Sequence, residues 1–196
     1  MWQPEPGWHS LPTGTGSSTV GVWRTVLGDQ PVVVKRLAAP GEHDPAELSD
    51  PRHFAYWRRA ADVVTSGLVT RTPGLRAPVV GAVEEDAEGI TLTQEWVEDA
   101  ANSGLFAAHG LGRFAGVDLG AAPWLAHAQL RDRMELVARR GGWRTLARTT
   151  VADVADHLWR RRDPLLEALD SLTQVAQHGD PVPANLPGRD GDHVVA

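Results

Sequence analysis

The sequence predicts an α+β chain in two lobes, a small antiparallel sheet lobe over residues 1–98 and a helical lobe over residues 99–196. Three observations predict it. Short β-branched runs separated by Gly- and Asp-bearing turns fill the first third of the chain. A single stretch of helical spacing interrupts them before two further strands. From about residue 103 onward the apolar residues recur at helical spacing only.

Three strands are expected within residues 8–37. Leu11-Pro-Thr-Gly-Thr-Gly-Ser-Ser-Thr places a Gly-rich turn between the first two, and Leu27-Gly28-Asp29-Gln30 is the second turn signal. Val20, Val22, Arg24 and Val26 alternate along the second strand, and Pro31 to Leu37 is a compact third strand. Residues 38–50 read as loop. Asp50-Pro51 predicts a helix start, with Asp as cap and Pro at the first helical position. Phe54, Trp57, Ala61 and Val64 would form its buried stripe. Strands over 78–84 and 89–96 follow, joined by the acidic turn Glu84 to Gly89, which completes five strands and one helix.

The boundary falls near residues 96–103, where Ala100-Ala101-Asn102-Ser103-Gly104 is small and polar. Helices are expected near 105–118, 124–140, 150–162 and 164–176. Asp163-Pro164 repeats the cap-then-Pro start. Leu165, Leu166, Leu169, Leu172 and Val175 give the last helix an apolar face that leads into His178.

Composition narrows the function classes. The net charge of −6 argues against general nucleic-acid binding. Residues 131–162 carry nine Arg against four acids, but Arg at such positions ordinarily solvates amphipathic helices and pairs with Asp and Glu. There is no cysteine, so disulfides and thiolate metal sites are excluded and a cytoplasmic setting is expected. No apolar run reaches the ~20 residues that span a bilayer, and Met-Trp-Gln-Pro-Glu-Pro does not read as a signal peptide. No membrane partner is expected. The eight His never take metal-ligand spacing.

Two features point to chemistry. The first is basic composition: of 19 Lys and Arg residues, the only Lys is Lys35, in Pro-Val-Val-Val-Lys-Arg-Leu. A compact ammonium suits phosphate oxygens in a way that Arg does not reproduce. The second is His178-Gly-Asp-Pro-Val-Pro-Ala-Asn185, which has the H-x-D-x-x-x-x-N spacing of a kinase catalytic loop. In such a loop the Asp accepts the proton of a substrate hydroxyl and the Asn is a hard oxygen ligand for Mg²⁺. The motif alone fits a turn as well as a catalytic loop, since Gly, Asp, Pro and Asn are the usual turn residues.

The order of parts is more specific than any one of them: Gly-rich turn, strand with Lys, helix, two strands, small polar linker, helices, then the His-Gly-Asp loop. In this order, and in Phe54-Ala-Tyr-Trp-Arg-Arg, Ser66-Gly-Leu and Leu75-Arg-Ala-Pro, the chain resembles the aminoglycoside phosphotransferase family, also called the phosphotransferase enzyme family. The resemblance covers nearly the whole chain and implies a bilobal protein-kinase-like fold. It further implies ATP-dependent, Mg²⁺-assisted transfer of the γ-phosphate to a hydroxyl of a small molecule. By that resemblance Asp180 is the catalytic base and Asn185 a metal ligand. Lys35 contacts the α/β-phosphates, the loop with Gly14, Gly16 and Ser17 covers them, and Glu95 and Val97 in the hinge offer backbone groups to adenine.

Three departures accompany it. Thr19 stands where the phosphate loop has its third Gly. Ala60 stands where a Glu would pair with the lysine, with Asp62 and Glu47 as imperfect substitutes. The further metal-binding Asp that follows the loop in the family is not reached, because the sequence ends at His193-Val-Val-Ala. The helical lobe is therefore expected to be incomplete and catalysis impaired. The alternative expectation is a non-catalytic kinase-like module that binds nucleotide or a partner. Neither the acceptor nor the oligomeric state is legible in the residues.

Overall fold

The structure is a computed structural model that describes residues 2–12, 16, 18–142 and 149–196. It is a mixed α+β chain with two sheets and, among the described residues, five helices. The larger sheet contains β1 (His9–Ser10), β2 (Thr19–Leu27), β3 (Gln30–Ala38), β6 (Val80–Asp86) and β7 (Gly89–Glu95). It is antiparallel throughout, as the strand pattern predicts, and its order is β1-β2-β3-β7-β6.

The two faces of this sheet are closed differently. On one face Leu37, Ile90 and Leu92 pack against Ala61 of α1 (Arg59–Ser66), with Trp57 and Ala60 at the margin. Leu37, Ile90 and Leu92 are each at most 1% exposed, and burial of such a side chain is worth about 1.5–3 kcal/mol. On the other face Trp2, Trp8 and Trp23 form a tilted cluster with centroids 5.3–6.0 Å apart. Arg36 is buried beside Trp2 on this face and is fully partnered. Its guanidinium donates to both Asp86 carboxylate oxygens, at 2.7 and 3.0 Å, and to Thr91 Oγ1 at 3.0 Å. Asp86 is held down to about 2 by this bond first, then by the backbone N–H of Glu88.

The expected helix from Pro51 is a correction. Residues 51–58 form turns, and the helix begins only at Arg59. Asp50 accepts from the N–H of Arg52, a tight local turn in place of a helix cap. The Arg59 guanidinium takes the carbonyls of Pro51 and His53, both at 2.7 Å, and the N–H groups that a helix would direct to them go elsewhere, Ala55 to His53 Nδ1 and Trp57 to the Leu48 carbonyl. Phe54 lies against His53 and under Arg133, away from the sheet.

The helices beyond are α2 (Gly104–Phe114), α3 (Gln129–Arg139), α4 (Thr150–Arg160) and α5 (Arg162–Asp170). Ser103 caps α2 and Thr149 caps α4. The expected last helix, 164–176, is shorter and starts earlier. Pro164 sits inside its first turn, and residues 171–178 have no regular structure. Of its apolar face only Leu166 is buried, while Leu165, Leu169, Leu172 and Val175 are exposed.

A second sheet has no counterpart in the sequence reading. It joins β4 (Arg71–Thr72), β5 (Leu75–Arg76), β8 (Gly188–Asp190) and β9 (His193–Val195) in the order β4-β5-β9-β8. The β5–β9 pair is parallel. It therefore ties residues 71–76, assigned above to the first region, to the end of the chain. Beneath it Leu75, Phe114, Leu186 and Val194 form a second core, with Phe106, Leu111 and Ala176 packed on it. No helix among the described residues is long and apolar enough to cross a membrane.

Candidate functional site

Lys35 and Arg36 are neighbours on β3, so their side chains leave opposite faces of the sheet. Arg36 goes to the tryptophan face. Lys35 stands opposite Val22 on β2 and Leu92 on β7, and two positions from Leu37, so it shares the face that α1 covers. There it is partly buried, and burial pushes its amine below the ordinary lysine range. No carboxylate among the described residues reaches it. Asp62 is held by Arg58 Nε at 3.1 Å and by the Tyr56 hydroxyl at 2.9 Å, and Glu47 pairs with Arg139. Neither candidate substitute for the missing Glu therefore serves Lys35.

The turn ahead of β2 lies along the same sheet. Ser18 offers its carbonyl to the Ala38 N–H at 2.8 Å and its hydroxyl to the Trp57 carbonyl at 3.2 Å. Gly16 is exposed, and its carbonyl accepts from the Thr19 N–H. Gly14 and Ser17 lie outside the described residues.

At the end of β7 the backbone N–H of Glu95 goes to the Val79 carbonyl at 2.8 Å, and its carboxylate pairs with Arg76 at 2.6 Å. The backbone N–H of Val97 has no hydrogen-bond partner among the described residues. Its side chain rests on Gly188, where a Cβ would come within 2.2 Å of Val97 Cγ1. From this segment Ala100 donates to the Pro187 carbonyl, and the Asn102 amide donates to the carbonyls of Leu186 and Gly188 at 3.0 and 2.7 Å. Residues 97–102 are thus laced to the stretch that follows Asn185.

The His-Gly-Asp loop is an exposed, tightly folded bend. Asp180 accepts through its carbonyl from the Val182 N–H, and Pro183–Asn185 makes one turn of 3₁₀ helix. The Asn185 amide donates to the Asp180 carbonyl at 2.9 Å and to Asp180 Oδ2 at 3.1 Å. The motif's two reactive residues are therefore in contact. With its amide nitrogen directed at Asp180, Asn185 Oδ1 has no hydrogen-bond partner among the described residues and stays available as an oxygen ligand. His178 is half-buried, and that burial lowers its pKa below the ordinary histidine range. Its Nδ1 accepts weakly from the Asp180 N–H at 3.4 Å. Asp180 and Asn185 make no hydrogen bond or ion pair with Lys35, Glu95 or Val97.

Two groups were missed by sequence reasoning. Gln129, the first residue of α3, donates to the Gly179 carbonyl at 2.9 Å. Asn102, read only as a polar linker residue, braces the far side of the loop. A lone Gln or Asn carries no pattern, so no sequence signal distinguishes either.

Metal and nucleotide fit can be judged from these groups. Among the described residues no cluster of three acidic or His side chains could hold a metal by itself. Mg²⁺ in phosphoryl-transfer sites takes only one or two protein oxygens and draws the rest from phosphate and water. Asp180 with Asn185 Oδ1 meets that modest requirement. Neither a protein-family model nor a curated protein matches the sequence.

Proposed function

We propose that the chain is a kinase-like phosphotransferase module with a bilobal arrangement. It would bind ATP between the sheet and the His-Gly-Asp loop and direct the γ-phosphate to a hydroxyl of a small molecule. The observation that carries this reading is the contrast on β3. Among the described residues, the fold supplies Arg36 with two carboxylate oxygens and a hydroxyl, yet supplies the next-door Lys35 with no hydrogen-bond or ionic partner. A shielded ammonium without a counter-charge is costly unless an anion arrives to meet it. Triphosphate oxygens are the anion that a Lys on such a strand would meet.

In this reading Lys35 holds the phosphates, and the free N–H of Val97 is available to the adenine edge. Asp180 accepts the proton of the acceptor hydroxyl. Asn185 orients the Asp180 carboxylate and, together with it, would hold Mg²⁺, which supplies charge neutralisation at the phosphates. A general base of this kind contributes ~10²–10⁴-fold. A second reading, nucleotide binding without catalysis, is favoured by the missing carboxylate at Lys35, because a loosely positioned lysine stabilises the transferring group poorly.

The test is MgATP binding by calorimetry and ATP turnover with a panel of hydroxyl acceptors, for the wild-type chain and Asp180→Asn. The phosphotransferase reading expects binding in both and turnover that Asp180→Asn reduces by ~10²-fold or more. Binding with no Asp180-dependent turnover supports the second reading, and absence of binding refutes both.

A further inference from the structure

We infer that Gln129 is a positioning residue that fixes where Asp180 sits, acting through the backbone of Gly179; the consequence for turnover rests on the phosphotransferase reading above. Residues 172–185 contain no helix or strand apart from the single 3₁₀ turn at Pro183–Asn185. Most of the hydrogen bonds around Asp180 are internal to the bend: Val182 to Asp180, Asn185 to Val182 and Asp180, and Asp180 to His178. Pro181 and Pro183 have no N–H to offer. Toward its ends the segment also has apolar packing, through Ala176 on one side and the adjoining Leu186 on the other, both in the second core. Among the described residues, two bonds to chain neighbours leave residues 172–185, Leu172 N–H to the Leu169 carbonyl and Leu186 N–H to the Pro183 carbonyl, and the bond from Gln129 Nε2 to the Gly179 carbonyl is the one that joins the segment to a sequence-distant part of the chain.

The contact is shaped as well as polar. Gly179 has φ of 87°, and a Cβ there would stand 3.2 Å from Gln129 Oε1 and 3.4 Å from Nε2. The Gln129 amide therefore turns its Oε1–Nε2 edge toward the Cα that directly precedes Asp180. The base of this lever is also fixed. Asp132, three residues on and hence on the same side of α3, accepts from the Phe54 N–H at 3.1 Å and lies 3.9 Å from His53 Nε2. One turn of α3 thus holds the segment leading into α1 with one residue and the His-Gly-Asp bend with another.

The experiment compares wild type with Gln129→Glu and Gln129→Met, which keep the side-chain length and remove the donor. Backbone amide resonances are followed, together with basal hydrolysis of MgATP. The expected result is shifted or broadened resonances for Gly179, Asp180 and Asn185 with those of β3 and β7 unmoved. Hydrolysis should lose roughly 10–10²-fold in kcat, as expected for a misplaced reacting group, with KM for ATP unchanged. Unperturbed loop resonances in both variants would overturn the inference, and so would loss of the sheet's resonances, which would make Gln129 a residue of the fold at large. If wild type hydrolyses no ATP while the loop resonances respond as expected, the placement role of Gln129 stands and the phosphotransferase reading falls.

Discussion

At the scale of single residues, the instructive pair is Lys35 and Arg36. They are adjacent and similar in charge, but pleating sends them into opposite environments. Arg36 meets Asp86, Thr91 and the Trp2 ring, whereas Lys35 meets Val22, Leu92 and Leu37. Burial lowers the Lys35 pKa, so the folded chain binds its proton less readily than the unfolded chain. Stability contributed by this group is therefore present above the ordinary lysine pKa and is lost as pH falls through the lowered folded value. Lys35→Met should abolish that slope. Urea midpoints measured at several pH values across this window should rise with pH in wild type and lie flatter in the variant. Lys35→Met should be no less stable than wild type at neutral pH, while ATP affinity falls. A clear loss of stability would mean that Lys35 has a structural anion, contrary to the site described.

At the scale of elements, close backbone approach decides how the linker meets the loop. Gly188 begins β8 beneath Val97, with Val195 on its other side. Gly188→Ala would bring a methyl to 2.2 Å from Val97 Cγ1 and 2.9 Å from Val195 Cβ. Such overpacking typically costs about 1–3 kcal/mol. Thermal melting should register that loss, and amide shifts should report displacement of Ala100 and Asn102, which are bonded to Pro187 and to the Leu186 and Gly188 carbonyls. An unchanged melting temperature would show that the linker yields freely.

At the scale of the whole molecule, two cores carry the fold. One lies between the larger sheet and α1, and the other lies beneath the second sheet. Val194 is fully buried in the second, against Leu75, Phe114 and Leu186. Val194→Asp would place a carboxylate there with no partner, a change that costs several kcal/mol. Hydrogen exchange should then accelerate in residues 71–76 and 188–195 and persist unchanged in β2, β3 and β7, because local stability follows the separate cores. Uniform loss of protection would show instead that the two cores unfold as one unit.

The sequence by itself determined the five antiparallel strands, because alternation and the turn signals at Leu27-Gly28-Asp29-Gln30 and in the acidic stretch Glu84 to Gly89 are local and need no partner to be read, although the structure keeps Glu84 to Asp86 in β6 and turns only at residues 87 and 88. It also placed Asp180 and Asn185 on one short, Pro-bearing loop, whereas their contact was decided by how that loop folds through its 3₁₀ turn. The start of α1 was decided by tertiary structure, since Arg59 also reaches the Trp124 carbonyl sixty-five residues away while the Trp57 N–H turns to Leu48 instead of a helical partner. The second sheet was decided the same way. Its strands are two or three residues long, too short to show a period, and β5 finds its parallel partner more than a hundred residues away. The anchoring of Asp180 belongs to this class too, because Gln129 lies fifty residues from Gly179 and only the packing of α3 brings them to 2.9 Å.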